Sequence, residues 1–174
     1  MKKTKKIYIV LSYSGTMPSK LIKLFTRYKY SHVSIALRKD IKEMYSFGRR
    51  KVYNPLIGGF KVEKKDGKFY KRFNDTECMI YELEVPQCKY FKVKQIIKRY
   101  VRNKEKYKYD LIGLFLRAFN KKIDRKYHFV CSEFVKNVLE EADIFSFEEK
   151  IVKIEDFSNI PNEKVIYSGY LLKY

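Results

Sequence analysis

The segment SHVSIALR sets Val33, Ile35 and Leu37 in strict alternation with His32, Ser34 and Ala36. Only an extended strand sends successive side chains to opposite faces, so this segment is a strand with one apolar face. His32 falls on the other face, among small residues. Several further segments read as strands. KIYIVLS (Lys6 to Ser12) is β-branched and ends at Ser14-Gly15. KEMYSFG follows the histidine strand across a short turn at Asp40. FKVEKKDGKFYKRF contains Asp66-Gly67, a hairpin signal. ECMIYELEV is a long strand closed by Pro86, and KVIYSGYLLKY is a closing strand.

Helical periodicity appears between them. MPSKLIKLFTRY carries Pro18 near its start and a stripe of Leu21, Ile22, Leu24 and Phe25. Val93, Ile96, Ile97, Tyr100 and Val101 recur at 0, 3, 4, 7 and 8, which makes Lys89 to about Asn103 an amphipathic helix with a basic outer face. DLIGLFLRAF is a second helix with Asp110 as N-cap. From Cys131, the residues Phe134, Val135, Val138, Leu139 and Ala142 form another stripe. YNPLIGG is a loop marked by Pro55, Gly58 and Gly59, YHFV is short and extended, and KIEDFSNI is one or two helical turns. The resulting order, β-α-β-β-β-β-α-α-α-β, implies an α+β fold with an antiparallel sheet packed against helices.

Composition narrows the class. A chain of 174 residues is expected to form one domain, spanning 1–174, with a core large enough to need no staples. Three cysteines without regular spacing do not make a disulfide framework. Two histidines and no C-x-x-C argue against structural zinc, and no cofactor is expected. The apolar run IYIVL near the N-terminus is too short for a signal peptide and reads as a strand behind a basic tip. No run approaches the roughly 20 residues of a spanning helix. A cytoplasmic protein with reduced thiols is the expectation. The net charge of +19 favours anionic partners, although lysines spread along the chain also fit coding bias.

Cys131 has two readings. It heads an apolar helical stripe, so it can be core, where free cysteine often lies. It also sits in a first helical turn, where unpaired N–H groups and the helix dipole favour negative charge on sulfur. Cys78, in a strand, and Cys88, just after Pro86, read as structural. His32 is open to the same doubt between a surface and a catalytic role. His128 is a rival base, but on an extended segment it and Cys131 point to opposite faces.

RYKYSHVSIAL, the later YSFG strand and the much later HFVCSEFVKNVLEEADI together resemble the circularly permuted papain-like cysteine hydrolases, the YiiX-like relatives of the NlpC-type peptidases. In that permuted group the histidine strand precedes the Cys-Ser-x-Phe helix, as it does here. The resemblance covers about Ile7 to Ala142. It implies a permuted papain-like fold, with Cys131 as nucleophile and His32 as its base. It further implies that the backbone N–H of Cys131 helps to hold the oxyanion.

In related enzymes a polar residue on the strand after the histidine orients the ring. Ser46 is the preferred candidate here. Glu43 is an alternative, and so is Glu63 if its strand folds beside the cleft. Tyr13, Ser14, Tyr127 and Glu133 are candidates to line the cleft.

The expected function is a cysteine hydrolase or acyltransferase, an amidase/peptidase or ester hydrolase working through a thioester. Its expected substrate is a small peptide, an amino-acid conjugate or a lipid-like acyl group, and the basic surface suits an anionic membrane surface. The alternative is a weak or inactive binding module of the same fold that engages nucleic acid or another anion through its lysine-rich helix and exposed tyrosines. A structural or interaction protein is the remaining class.

Overall fold

The computed structural model describes residues 3–50, 58–117, 121 and 125–174. Among these, eight strands form one sheet: β1 (Thr4–Tyr13), β2 (His32–Ala36), β3 (Glu43–Arg49), β4 (Gly58–Lys64), β5 (Glu77–Pro86), β6 (Lys108–Tyr109), β7 (His128–Phe129) and β8 (Glu163–Tyr170). Five α-helices accompany them: α1 (Met17–Thr26), α2 (Lys68–Arg72), α3 (Gln87–Arg102), α4 (Leu111–Arg117) and α5 (Cys131–Glu141). The sheet order is β7-β6-β4-β3-β2-β1-β5-β8, antiparallel throughout except for the short β6–β7 pair. The architecture is α+β.

The central strand is β1, paired with β2 on one side and β5 on the other. Its run from Ile7 to Ser12 is buried without a break, so the sheet is covered on both faces. Ile7, Ile9 and Leu11 join the main core with Val93, Ile96, Ile97 and Tyr100 of α3 and Phe134, Val135, Val138 and Leu139 of α5. The stripes read from sequence on these two helices are therefore their buried faces. Tyr8 and Val10 point the other way, into a smaller cluster with Met44, Tyr70, Cys78, Ile80 and Leu171.

Two elements differ from the sequence expectation. Gly58 and Gly59 lie in β4, paired with Arg49 and Gly48. They are glycines because β6 runs against them: a Cβ on Gly59 would stand 2.5 Å from the Tyr107 carbonyl oxygen. The preceding residues 53–57 of that expected loop lie outside the described residues. Asp66-Gly67 also does not close a hairpin. The chain turns there into α2, which drops Tyr70 onto the sheet, and β5 pairs with β1 instead of β4.

Asp110 caps α4 as expected, accepting a 2.9 Å hydrogen bond from the Gly113 N–H. Its carboxylate, 1% exposed, is also held by Arg125 at 3.1 Å and faces Arg117 Nη1 at 3.8 Å. The other guanidinium nitrogen of Arg117 pairs with Glu133 in the first turn of α5. Glu133 in turn accepts from the Val130 N–H at 3.4 Å, closing the start of α5. A buried charge chain thus fixes the helix end that carries Cys131.

Candidate active site

Three chain segments distant in sequence meet at the start of α5. Cys131 is its first residue, so its backbone N–H and the next two have no intrahelical acceptor. His32 opens β2, opposite Ser12 of β1. The Cys131 side chain is near enough to act on the His32 ring and strengthens the ring's hold on a proton. His32 Nε2 lies 2.9 Å from Glu63 Oε1 on β4, which leaves Nδ1 as the ring nitrogen for the thiol. Tyr70 of α2 donates to the second Glu63 oxygen at 2.6 Å. Cys131, 3% exposed, also belongs to the main core. The two readings of this residue therefore coexist: the sulfur is packed and also interacts with an imidazole.

The charges at this site reinforce one another. Burial opposes a charged His32 ring, but the Glu63 carboxylate and the Cys131 contact outweigh it and push the ring up to about 10. Burial likewise opposes an ionised Glu63. The Lys61 ammonium, the His32 ring and the Tyr70 hydroxyl outweigh that and hold it well below the usual carboxylate range. Burial beside Glu63 raises the Tyr70 phenol well above its ordinary value, so it stays a donor.

A pH dependence follows. The His32 contribution to stability is complete below its ordinary 6.5 and is lost as pH rises toward about 10. The Glu63 contribution is complete above its ordinary 4.5 and is lost at lower pH. The stability difference between native protein and Glu63→Gln should therefore be largest between 4.5 and 6.5 and shrink toward pH 10. Thermal unfolding of both across that range checks it, and a difference that does not change with pH would contradict the ion pair.

The remaining candidates fall in different places. Ser46, the preferred orienting residue, is fully buried and donates to the Val33 carbonyl at 2.8 Å, so its hydroxyl fastens β3 to β2. The carboxylate on the ring is Glu63, and Glu43 is exposed at the start of β3. Ser14 lines a small cavity of about 100 Å³ beside His32, together with Ser12, Ser19, Ser31, Lys61 and Glu63. Tyr13 does not line it; its ring packs on the core with Lys23 above it at 4.4 Å. Tyr127 is exposed and stacks edge-on against Tyr107, and Glu133 serves the α5 cap. His128 turns away, its Nδ1 lying 2.9 Å from the Lys126 carbonyl.

Cys78 is fully buried, and burial pushes its thiol up to about 12, whereas Cys88 is exposed. Tyr70 and Lys61 were not foreseen. Tyr70 was hidden because its segment reads as a strand, and Lys61 because it is one lysine among many.

On the basic helix α3, Lys89 bonds the Asp143 carbonyl, Lys92 pairs with Asp143, and Arg99 clasps Glu141 through two hydrogen bonds at 2.7 and 2.6 Å. Part of its charge is therefore neutralised within the protein. Among the described residues no cluster of three or more acidic, histidine or cysteine side chains is placed to hold a metal ion. No helix among them is long and apolar enough to cross a membrane. Comparison with known protein families and with curated proteins finds no match, so the functional reading rests on this geometry alone.

Proposed function

We propose that the protein is a cysteine hydrolase of the permuted papain-like kind, acting on an amide or ester through a thioester on Cys131. The observation that carries this reading is the hydrogen-bonded chain Tyr70–Glu63–His32, with Cys131 acting on the same ring from a helix N-terminus. It supplies a nucleophile, a base and a group that orients the base, the set such chemistry needs. The histidine strand precedes the cysteine helix, as in the permuted relatives.

In the first step the His32 ring holds the proton given up by Cys131, and the sulfur attacks the substrate carbonyl. The C–S bond forms while the bond to the leaving nitrogen or oxygen breaks, and the leaving group takes the proton from His32. In the second step water gives a proton to His32 and adds to the thioester carbonyl. The C–S bond breaks, the proton returns to sulfur and a carboxylic acid leaves. Glu63 holds the ring in place and stabilises its charged form in both steps. The free N–H groups at the start of α5 face the carbonyl oxygen as negative charge grows on it.

p-Nitrophenyl acetate provides a direct test. The native protein should release one equivalent of nitrophenolate in a burst, and peptide mass spectrometry should find the acetyl group on Cys131. Cys131→Ala should show no burst. Acetylation confined to lysines would remove the thioester from the reading.

A further inference from the structure

The cavity beside His32 has a neighbour. Lys61, Glu63, Phe69 and Tyr70 form a wall that it shares with a second, larger groove of about 540 Å³. The first cavity, of about 100 Å³, reaches the proposed site through His32 and Glu63, which line it. The groove has the size of a small-molecule site. Its lining includes Arg50, Lys61, Lys64, Lys68 and Lys104, against only Glu63 and Glu105.

Both acids are already engaged. Glu105 pairs with Arg50 at 2.9 Å. Glu63 is shared among His32, Lys61 and Tyr70. Lys64, Lys68 and Lys104 make no ion pair among the described residues.

Lys61 stands at the junction. Its side chain is only 21% exposed, and its Nζ lies 3.5 Å from Glu63 Oε1 and 5.1 Å from the centre of the Phe69 ring. It also runs beside the catalytic ring: a Cβ on Gly48 would touch Lys61 Cδ at 3.7 Å and His32 Cε1 at 3.8 Å. Lys61 and the His32 ring thus stand against the same Glu63 carboxylate, which gathers positive charge on this shared wall.

We infer that the substrate carries an anionic group, a carboxylate or a phosphate, next to the bond that is cut, and that Lys61 receives this group at the mouth of the lysine-lined groove. The inference rests on Cys131 being the nucleophile. It names a specificity-determining residue and a substrate class: acyl compounds with an anionic portion that fills the groove. The attraction is local, because Lys61 is fixed by Phe69 and Glu63 while most other lysines are exposed.

Two alkylating agents that differ in one charge test this. Iodoacetate and iodoacetamide present the same reactive carbon to Cys131. Lys61→Gln should lower the iodoacetate-to-iodoacetamide rate ratio at Cys131 by about tenfold, Lys61→Arg should restore it, and Lys94→Gln on the outer face of α3 should leave it unchanged. An equal fall in Lys61→Gln and Lys94→Gln would assign the preference to net charge and overturn the inference.

N-bromoacetyl-β-alanine, N-bromoacetyl-O-phosphoethanolamine and neutral N-bromoacetylethanolamine then separate the sources. Preference for the first identifies a carboxylate and for the second a phosphate, while no preference over the neutral compound overturns the inference. If Cys131 is inert to every agent, the nucleophile reading fails on its own. Binding of inorganic phosphate and N-acetyl-β-alanine to Cys131→Ala then decides the subsite: saturable binding lost on Lys61→Gln supports it, and no binding overturns it.

Discussion

Glu63→Gln is expected to slow acylation of Cys131 by about 10²–10⁴-fold, the usual worth of a positioned proton-transfer group. The substitution keeps the shape and removes the charge. Glu63 now accepts from the His32 ring with one oxygen and from Tyr70 with the other. Glutamine has one oxygen, so one donor would meet an amide NH₂ instead. The charged His32 ring would lose its counter-ion. Lys61, 3.5 Å away, would lose its partner as well.

Removing one member of a buried ion pair also costs about 3–5 kcal/mol of stability, so rates belong at a temperature where the variant is folded. Tyr70→Phe guards against misreading a folding defect, since it keeps the charge and removes one hydrogen bond. It should give a smaller loss of rate. Ser46→Ala should cost about 1 kcal/mol through its lost bond to Val33 and leave the rate nearly unchanged. A rate defect in Ser46→Ala with none in Glu63→Gln would reverse the assignment of the orienting residue.

Gly113→Ala should destabilise the protein by about 3–5 kcal/mol, although helix propensity alone predicts a gain of about 1 kcal/mol. The new Cβ would stand 2.0 Å from Asp110 Oδ2 and 2.5 Å from Arg117 Nη1. Neither group has room to retreat, because Asp110 is 1% exposed and its other oxygen holds the Gly113 N–H and Arg125. Displacing the pair leaves buried charges without partners. The damage should reach Cys131 as well, since Arg117 also holds Glu133 two residues into α5. Urea unfolding measures the stability change. A variant as stable as the native protein would show that the Asp110–Arg117 contact carries no weight.

Strong periodicity made α3 and α5 legible in the sequence, because their apolar stripes are their buried faces. The Asp110 cap was legible too, as an acceptor just before an apolar run. Its counter-ions were not. Arg117 reaches it along α4 and Arg125 from just before β7, and no local signal links them.

His32 and Cys131 stand out in the sequence through paired motifs and their order. The side chain bonded to the His32 ring is Glu63, one strand beyond Ser46. Ser46 lies nearer to His32 in sequence, but the register puts Glu63 opposite Met44, and its carboxylate reaches the ring from β4. Choosing between them requires the β3–β4 pairing, which spans residues with weak local signals. Tyr70 was hidden by Asp66-Gly67, a turn that opens into a helix because Tyr70 gains a buried partner in Glu63.

The measurement closest to the central claim is competitive alkylation of the three cysteines by iodoacetamide at neutral pH, read by peptide mass spectrometry. The folded protein contains its own references. Cys88 is exposed and reports an ordinary thiol, and Cys78 is fully buried and reports an inert one. Cys131 is nearly as buried as Cys78, yet it should react faster than Cys88, and His32→Gln should abolish that advantage. A Cys131 as inert as Cys78, or one whose rate ignores His32, would contradict the hydrolase reading and leave the sulfur as a packed core atom.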